Sequence, residues 1–215
     1  EWSPGASQKG GSGGGGDTYS PSTYTGNTLA SPDGRSPTVQ GFAGGSASSP
    51  NNAGGGGGGA GEVGNAGQGV NADGSTQGRG GDGLQIFIAE PSSTPAPTRQ
   101  YGADNGYFAG GGGSEYYPGT SSPGFAGGLG GGGSAAARTV DGIRGVANTG
   151  GGGGAAKNAG TTPATIRGDG GSGIVVIRYE ITADQQNTAK ATGGFISHTP
   201  TQVIHTFTGS GTFNN

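Results

Sequence analysis

The chain has 215 residues, 57 of them glycine, with 11% charged residues and a formal net charge of −3. Leu, Ile, Val and Phe are too sparse for an ordinary side-chain core, and the weak negative charge leaves no basic stripe for phosphate backbones, so no nucleic-acid partner is expected. The absence of cysteine removes disulfide frameworks and thiolate metal sites, and no apolar run approaches the roughly 20 residues that span a bilayer, so no membrane insertion is expected.

Glycine runs recur along the chain at residues 13–16, 54–59, 110–113, 130–133 and 150–154. Collagen is excluded, because no Gly-X-Y period appears and proline avoids the runs. In polyproline II geometry a glycine run turns once every three residues and makes no internal hydrogen bond, so its amides and carbonyls point sideways in search of partners. Without Cβ atoms such rods approach closely enough to bond backbone to backbone. Ordering glycine costs about 1 to 2 kcal/mol per residue, so single rods are unstable and a bundle is required. Gly14, Gly56, Gly111, Gly131 and Gly152 are the expected core positions of that bundle.

Between the runs lie stretches rich in Pro, Ser, Asn and Asp, which is turn chemistry suited to loops that join straight segments. They carry Tyr19, Tyr24, Tyr101, Tyr107, Tyr116 and Tyr117, and the longest of them adds Asp104 and Asn105. Tyrosine among Ser, Gly and Asn is the mixture of loop binding surfaces, and its ring stacks on sugars. These eight residues are therefore the candidates for receptor contact. The competing reading is that the rings plug the ends of the bundle or sit between subunits, and that Asp104 and Asn105 simply make a turn.

No catalytic or cofactor signature accompanies these loops. The run "GGGGGGAGEVGNAG" has glycine spacing reminiscent of a dinucleotide site, but no strand leads in and no helix leads out, and no Gly-Lys-Ser/Thr follows any run. Asp73, Asp82 and Asp169 do not repeat with the period of calcium-binding β-rolls. His198 and His205 lack partners at metal-ligand or triad spacing, and His205 reads as a strand residue with a satisfied ring. No enzyme activity, metal or cofactor is expected.

Near the C-terminus, "GSGIVVIRYEI" is a β-branched strand with Val175, Ile177, Tyr179 and Ile181 on one side and Val176, Arg178 and Glu180 on the other. After a polar spacer, "VIHTFTGSGTF" reads as a second strand followed by a turn. Ile174, Val175, Val176, Ile177, Tyr179 and Phe207 are the expected strand-pairing residues. The fold class is therefore mainly irregular and β: a packed polyglycine II rod bundle with loops, short β-strands near the C-terminus and essentially no α-helix. Residues 1–181 form a glycine-rich domain, 182–195 a linker, and 196–215 the start of a second glycine-rich or β domain.

"ANTGGGGG" followed by "GDGGSGIVVIRYEI" resembles the closing segment of the glycine-rich domains of bacteriophage tail fibres and related phage structural proteins, and "IHTFTGSGTF" resembles the opening motif of such a domain. The order, an end and then a beginning, implies an excerpt of a longer protein with tandem domains, in keeping with a chain that lacks methionine. The opening strands of the first domain are absent, so the partner of residues 174–181 is expected upstream of Glu1, in residues 203–213, or in another subunit. The resemblance implies a non-enzymatic virion protein, a tail fibre or tail-tip adhesin. It would bind a host cell-surface glycan or outer-membrane protein, contact other virion structural proteins and form a homo-oligomer, with a trimer as the usual fibre arrangement. The alternative is a microbial extracellular filament or surface-layer protein assembled by strand pairing between subunits.

Overall fold

A computed structural model of the chain describes residues 15–16, 41–47, 53–67, 77–89, 101–115, 124–136, 140–156, 166–182 and 189–215. Gly14, Tyr19, Tyr24, Asp73, Tyr116 and Tyr117 lie outside the described residues. Among the described residues there is no helix. Regular structure among these residues is confined to β1 (Leu84–Gln85), β2 (Tyr107–Phe108), β3 (Val175–Glu180), β4 (Phe195–Thr199) and β5 (Gln202–Phe207). β1 and β2 pair antiparallel, and the other three form an antiparallel sheet in the order β3-β5-β4. The rest of the described chain is irregular in the sense that it forms neither helix nor ladder, yet its backbone is extensively hydrogen-bonded.

Those bonds follow a period of three. Along 53–60, Gly54, Gly57 and Ala60 donate to Glu115, Gly112 and Ala109, whereas Gly56 and Gly59 donate to Asn65 and Glu62, and Gly55 donates to Gly16. Each step of three residues on one segment meets a step of three on its neighbour. Phe42 and Gly45 donate to Gly59 and Gly56, Gly111 and Ser114 to Gly81 and Gly78, and Gly168 and Gly171 to Gly154 and Gly151. A chain whose groups point in three directions in turn has neighbours on all sides, unlike a strand, whose ladders lie in one plane.

Sequential segments run antiparallel, and next neighbours such as 110–113 with 130–133 run parallel, shown by the bonds of Gly110 to Gly130 and Gly113 to Gly133. The described segments therefore alternate up and down.

The spacing leaves no room for side chains between segments. A Cβ on Gly56 would fall on the carbonyl oxygen of Arg79, one on Gly111 on that of Gly57, and one on Gly154 on that of Ser134. Ala53 and Ala135 are the largest apolar side chains buried within the segments themselves. The packed interior is backbone against backbone. Of the other expected core glycines, Gly131 is a turn residue with φ 86°, and Gly152 is only half-buried, with its nearest neighbour the amide nitrogen of Gly112.

The three-stranded sheet has a conventional core. Val203, Ile204 and His205 on the central strand β5 are fully buried. β3 pairs along its length with β5, from Val175 opposite Phe207 to Glu180 opposite Gln202, and Pro200 and Thr201 turn the chain between β4 and β5. Of the three possible partners for residues 174–181, the one in use lies in the same chain. The sheet thus unites a strand from residues 1–181 with strands beyond them. Ile174 itself precedes β3 and makes no ladder pair.

Candidate functional site

The alternation of the segments brings residues 60–63, 84–89, 101–108, 129–131 and 147–150 to one end. Hydrogen bonds tie them together there: Gly61 donates to Asp82, Ala60 to Ala109, Gly83 to Leu129, and Ala109 to Thr149. Side chains complete the tie. The Asp82 carboxylate pairs with Arg79 and accepts the Leu129 N–H at 2.7 Å, and Glu62 lies 3.8 Å from the same guanidinium. Thr149 Oγ1 donates to Val146 O at 2.7 Å and accepts from Gly151 N at 3.1 Å, while Ser172 Oγ accepts the Asn148 N–H at 2.9 Å.

Tyr101, Asp104, Asn105 and Tyr107 belong to this end. Ala103 and Tyr107 bond to each other in both directions and close a tight loop, in which Asp104 and Asn105 have φ of 51° and 69° and Gly106 has 86°. The left-handed region is steeply unfavourable for most residues and accessible to Asn, Asp and Gly, so the ADNG sequence suits this loop. Asp104 Oδ2 accepts the Gly130 N–H at 3.0 Å, and Gln85 Nε2 donates to Asn105 O at 3.0 Å. Asp104 is thus a structural tie as well as an exposed residue, and Tyr101 and Tyr107 are half-buried. Glu115, the last described residue before Tyr116, stands at the opposite end of segment 109–115, since Gly54 at the start of segment 53–60 donates to it.

The same end exposes apolar side chains that loop composition did not single out. Leu84, Ile86, Phe87 and Ile88 are each 40–48% exposed, joined by Val63 at 49% and Leu129 at 36%. The signal available for them was the near-continuous apolar run of residues 84–89. Isolated exposed apolar residues are ordinary, whereas a contiguous exposed group marks a contact surface. The three-stranded sheet adjoins this group: Arg178 Nη1 donates to Phe87 O at 3.3 Å, and Arg178 also bonds Gln202 Oε1.

His205 is enclosed in the sheet. Its Nδ1 lies 2.7 Å from Gly193 O and its Nε2 3.2 Å from Tyr179 Oη. Because a carbonyl only accepts, Nδ1 carries the proton and Nε2 accepts from the tyrosine. Tyr179 Oη in turn accepts the Lys190 N–H at 3.0 Å. The ring stacks on Tyr179 at 5.6 Å and meets the edge of Phe213 at 5.0 Å. This is a closed structural network. Asp82 is paired with Arg79, and Asp169 lies 3.4 Å from Arg144. Among the described residues no group of three or more His, Cys, Asp and Glu side chains converges.

A bundle of glycine segments bonded through their backbones defines a glycine-rich structural domain. The family described as "Glycine-rich domain" matches residues 2–180, and the chain belongs to it. No curated protein and no solved structure matches the chain.

Proposed function

We propose that the chain is a non-enzymatic scaffold of a phage tail fibre or tail-tip adhesin, which holds loops at one end of a stiff glycine bundle against a host cell-surface glycan or outer-membrane protein. The observation that carries this reading is the exposed apolar group at residues 84–88, set where the tied connections converge and flanked by Tyr101 and Tyr107. A surface anchored by backbone bonds from several segments is held in place before binding, which lowers the ordering cost of contact. Many copies on one particle then turn weak contacts into avidity. We assign the segments polyglycine II geometry on their three-residue period, and the bundle to a homo-oligomer within the virion alongside other structural proteins.

The test is immunogold electron microscopy with an antibody to residues 84–108, combined with adsorption assays. Label at fibre tips together with blocked adsorption is the expected result. Bare virions with label along cell-attached filaments would replace it with the extracellular assembly, which would draw on the outer edges of β3 and β4, since their inner edges pair with β5.

A further inference from the structure

An extended segment with unpaired N–H and C=O groups at the margin of a bundle is a template for one more segment, as an edge strand is for one more strand. Segment 140–146 is such a margin. Gly142 and Gly145 donate to Ile166 and Asp169, and Ile143 and Val146 donate to Ser134 and Gly131. Among the described residues the N–H groups of Asp141 and Arg144 meet no acceptor, and the carbonyls of Gly142 and Gly145 meet no donor. Asp141 and Arg144 are exposed, and the Arg144 side chain is 80% so.

Glycine is distributed differently inside the bundle and at its margins. Inside, the unbroken runs 54–59 and 110–113 place glycine in all three directions of a turn. At the margins it holds one direction. Gly61, Gly64 and Gly67 recur every third residue, as do Gly142 and Gly145, and Gly168 and Gly171, and a Cβ on any of them would fall on the carbonyl oxygen of a neighbouring segment. The positions between carry side chains that face water. On 140–146 one direction holds Val140, Ile143 and Val146, each about half exposed, and the other holds Asp141 and Arg144. On 166–171 Ile166, Arg167 and Asp169 are exposed, and Gly170 is the outward glycine among them; on 61–67 Glu62 and Val63 are exposed.

We infer that these outward side chains are guards: their Cβ atoms keep the glycine runs of a second copy from adding to the flank of the bundle, which therefore ends at its own last segment. The spacing of the bundle admits no Cβ between segments, as at Gly56 and Gly111, so a side chain in each outward direction holds an incoming run beyond hydrogen-bonding distance. Val, Ile, Asp and Arg share little chemistry, and what they have in common at these positions is a Cβ. The charges are already engaged within the chain, since Asp141 Oδ1 accepts the Ile166 N–H at 2.8 Å and Arg144 lies 3.4 Å from Asp169. The guarded flank is separate from the tied end, and the inference stands whether or not that end meets a receptor.

The test compares two triple variants of the full chain by sedimentation across a concentration series, with amide exchange by NMR in parallel. Val140→Gly/Ile143→Gly/Arg144→Gly removes the Cβ atoms, whereas Val140→Ala/Ile143→Ala/Arg144→Ala shortens the same side chains and keeps them. Protection at Gly111 and Gly152 reports an intact bundle in each. The alanine variant is expected to sediment like the unaltered chain. The glycine variant is expected to associate at least about tenfold more tightly, with exchange at position 144 slowed at least about tenfold on association. An intact glycine variant that sediments like the alanine variant would overturn the inference. So would association of the unaltered chain that the alanine variant abolishes, because Val140 and Ile143 would then be contact residues. Should the triple glycine variant not fold, Ile143→Gly against Ile143→Ala decides the matter: stronger association of the glycine form is expected, and equal sedimentation of the two would overturn the inference.

Discussion

At Gly56 an added Cβ would land on the carbonyl oxygen of Arg79, part of a segment that cannot move without breaking bonds to its own neighbours. At Gly209 an added Cβ would meet nothing within 4 Å, and its φ is outside the left-handed region. Overpacking a core with a methyl group costs about 1 to 3 kcal/mol even where side chains can give way, and here the obstacle is backbone. Gly56→Ala is therefore expected to cost at least about 3 kcal/mol, whereas Gly209→Ala is expected to be neutral or to stabilise by about 0.4 to 1 kcal/mol by restricting the unfolded chain. Chemical denaturation of both variants measures the contrast, and equal effects would refute a backbone-packed interior. That glycine forms the core was legible in the runs themselves. Which glycines are most tightly packed was not, since Gly57 and Gly58 are identical in the sequence, yet an added Cβ would land on Phe42 O at Gly58 and stop 3.3 Å from Gly112 N at Gly57.

Among the elements, the connection at 129–131 shows how the end loops are held. Gly130 has φ 96° and Gly131 86°, so this turn depends on glycine, and its amides are met by carboxylates from two other segments, Asp82 at Leu129 and Asp104 at Gly130. Asp104→Ala leaves the N–H of the buried Gly130 without that acceptor, for an expected loss of about 1 to 3 kcal/mol. Thermal denaturation of the purified chain measures it with no receptor present, so an unchanged transition would return Asp104 to a purely exposed role. The sequence showed a turn at ADNG but not its tie to Gly130, a bond between residues 26 apart. β1 and β2 were equally hidden, because two-residue strands carry no alternation and exist only through their pairing. β4 escaped for a related reason: FISHT is short, and its identity as a strand rests on β5 beside it.

The whole molecule joins two kinds of interior. The glycine bundle is held by directional backbone bonds, whereas the sheet is held by Val203, Ile204 and His205 packed on β5. They meet near Gly173, and Arg178 Nη1 donates to Phe87 O between them. His205→Ala removes a buried ring that bonds Gly193 and Tyr179 and packs on Phe213, which is expected to cost the sheet about 3 kcal/mol or more. If the two interiors are separately cooperative, amides in β3, β4 and β5 lose protection while those of Gly54, Gly57, Gly111 and Gly113 keep theirs. A parallel loss in both sets, measured by amide exchange in the same sample, would mean that the sheet clamps the last glycine segment and that the molecule melts as one. Separate behaviour is the outcome favoured by the bonding, because 166–172 is anchored by Gly168 and Gly171 to 150–156 without help from the sheet.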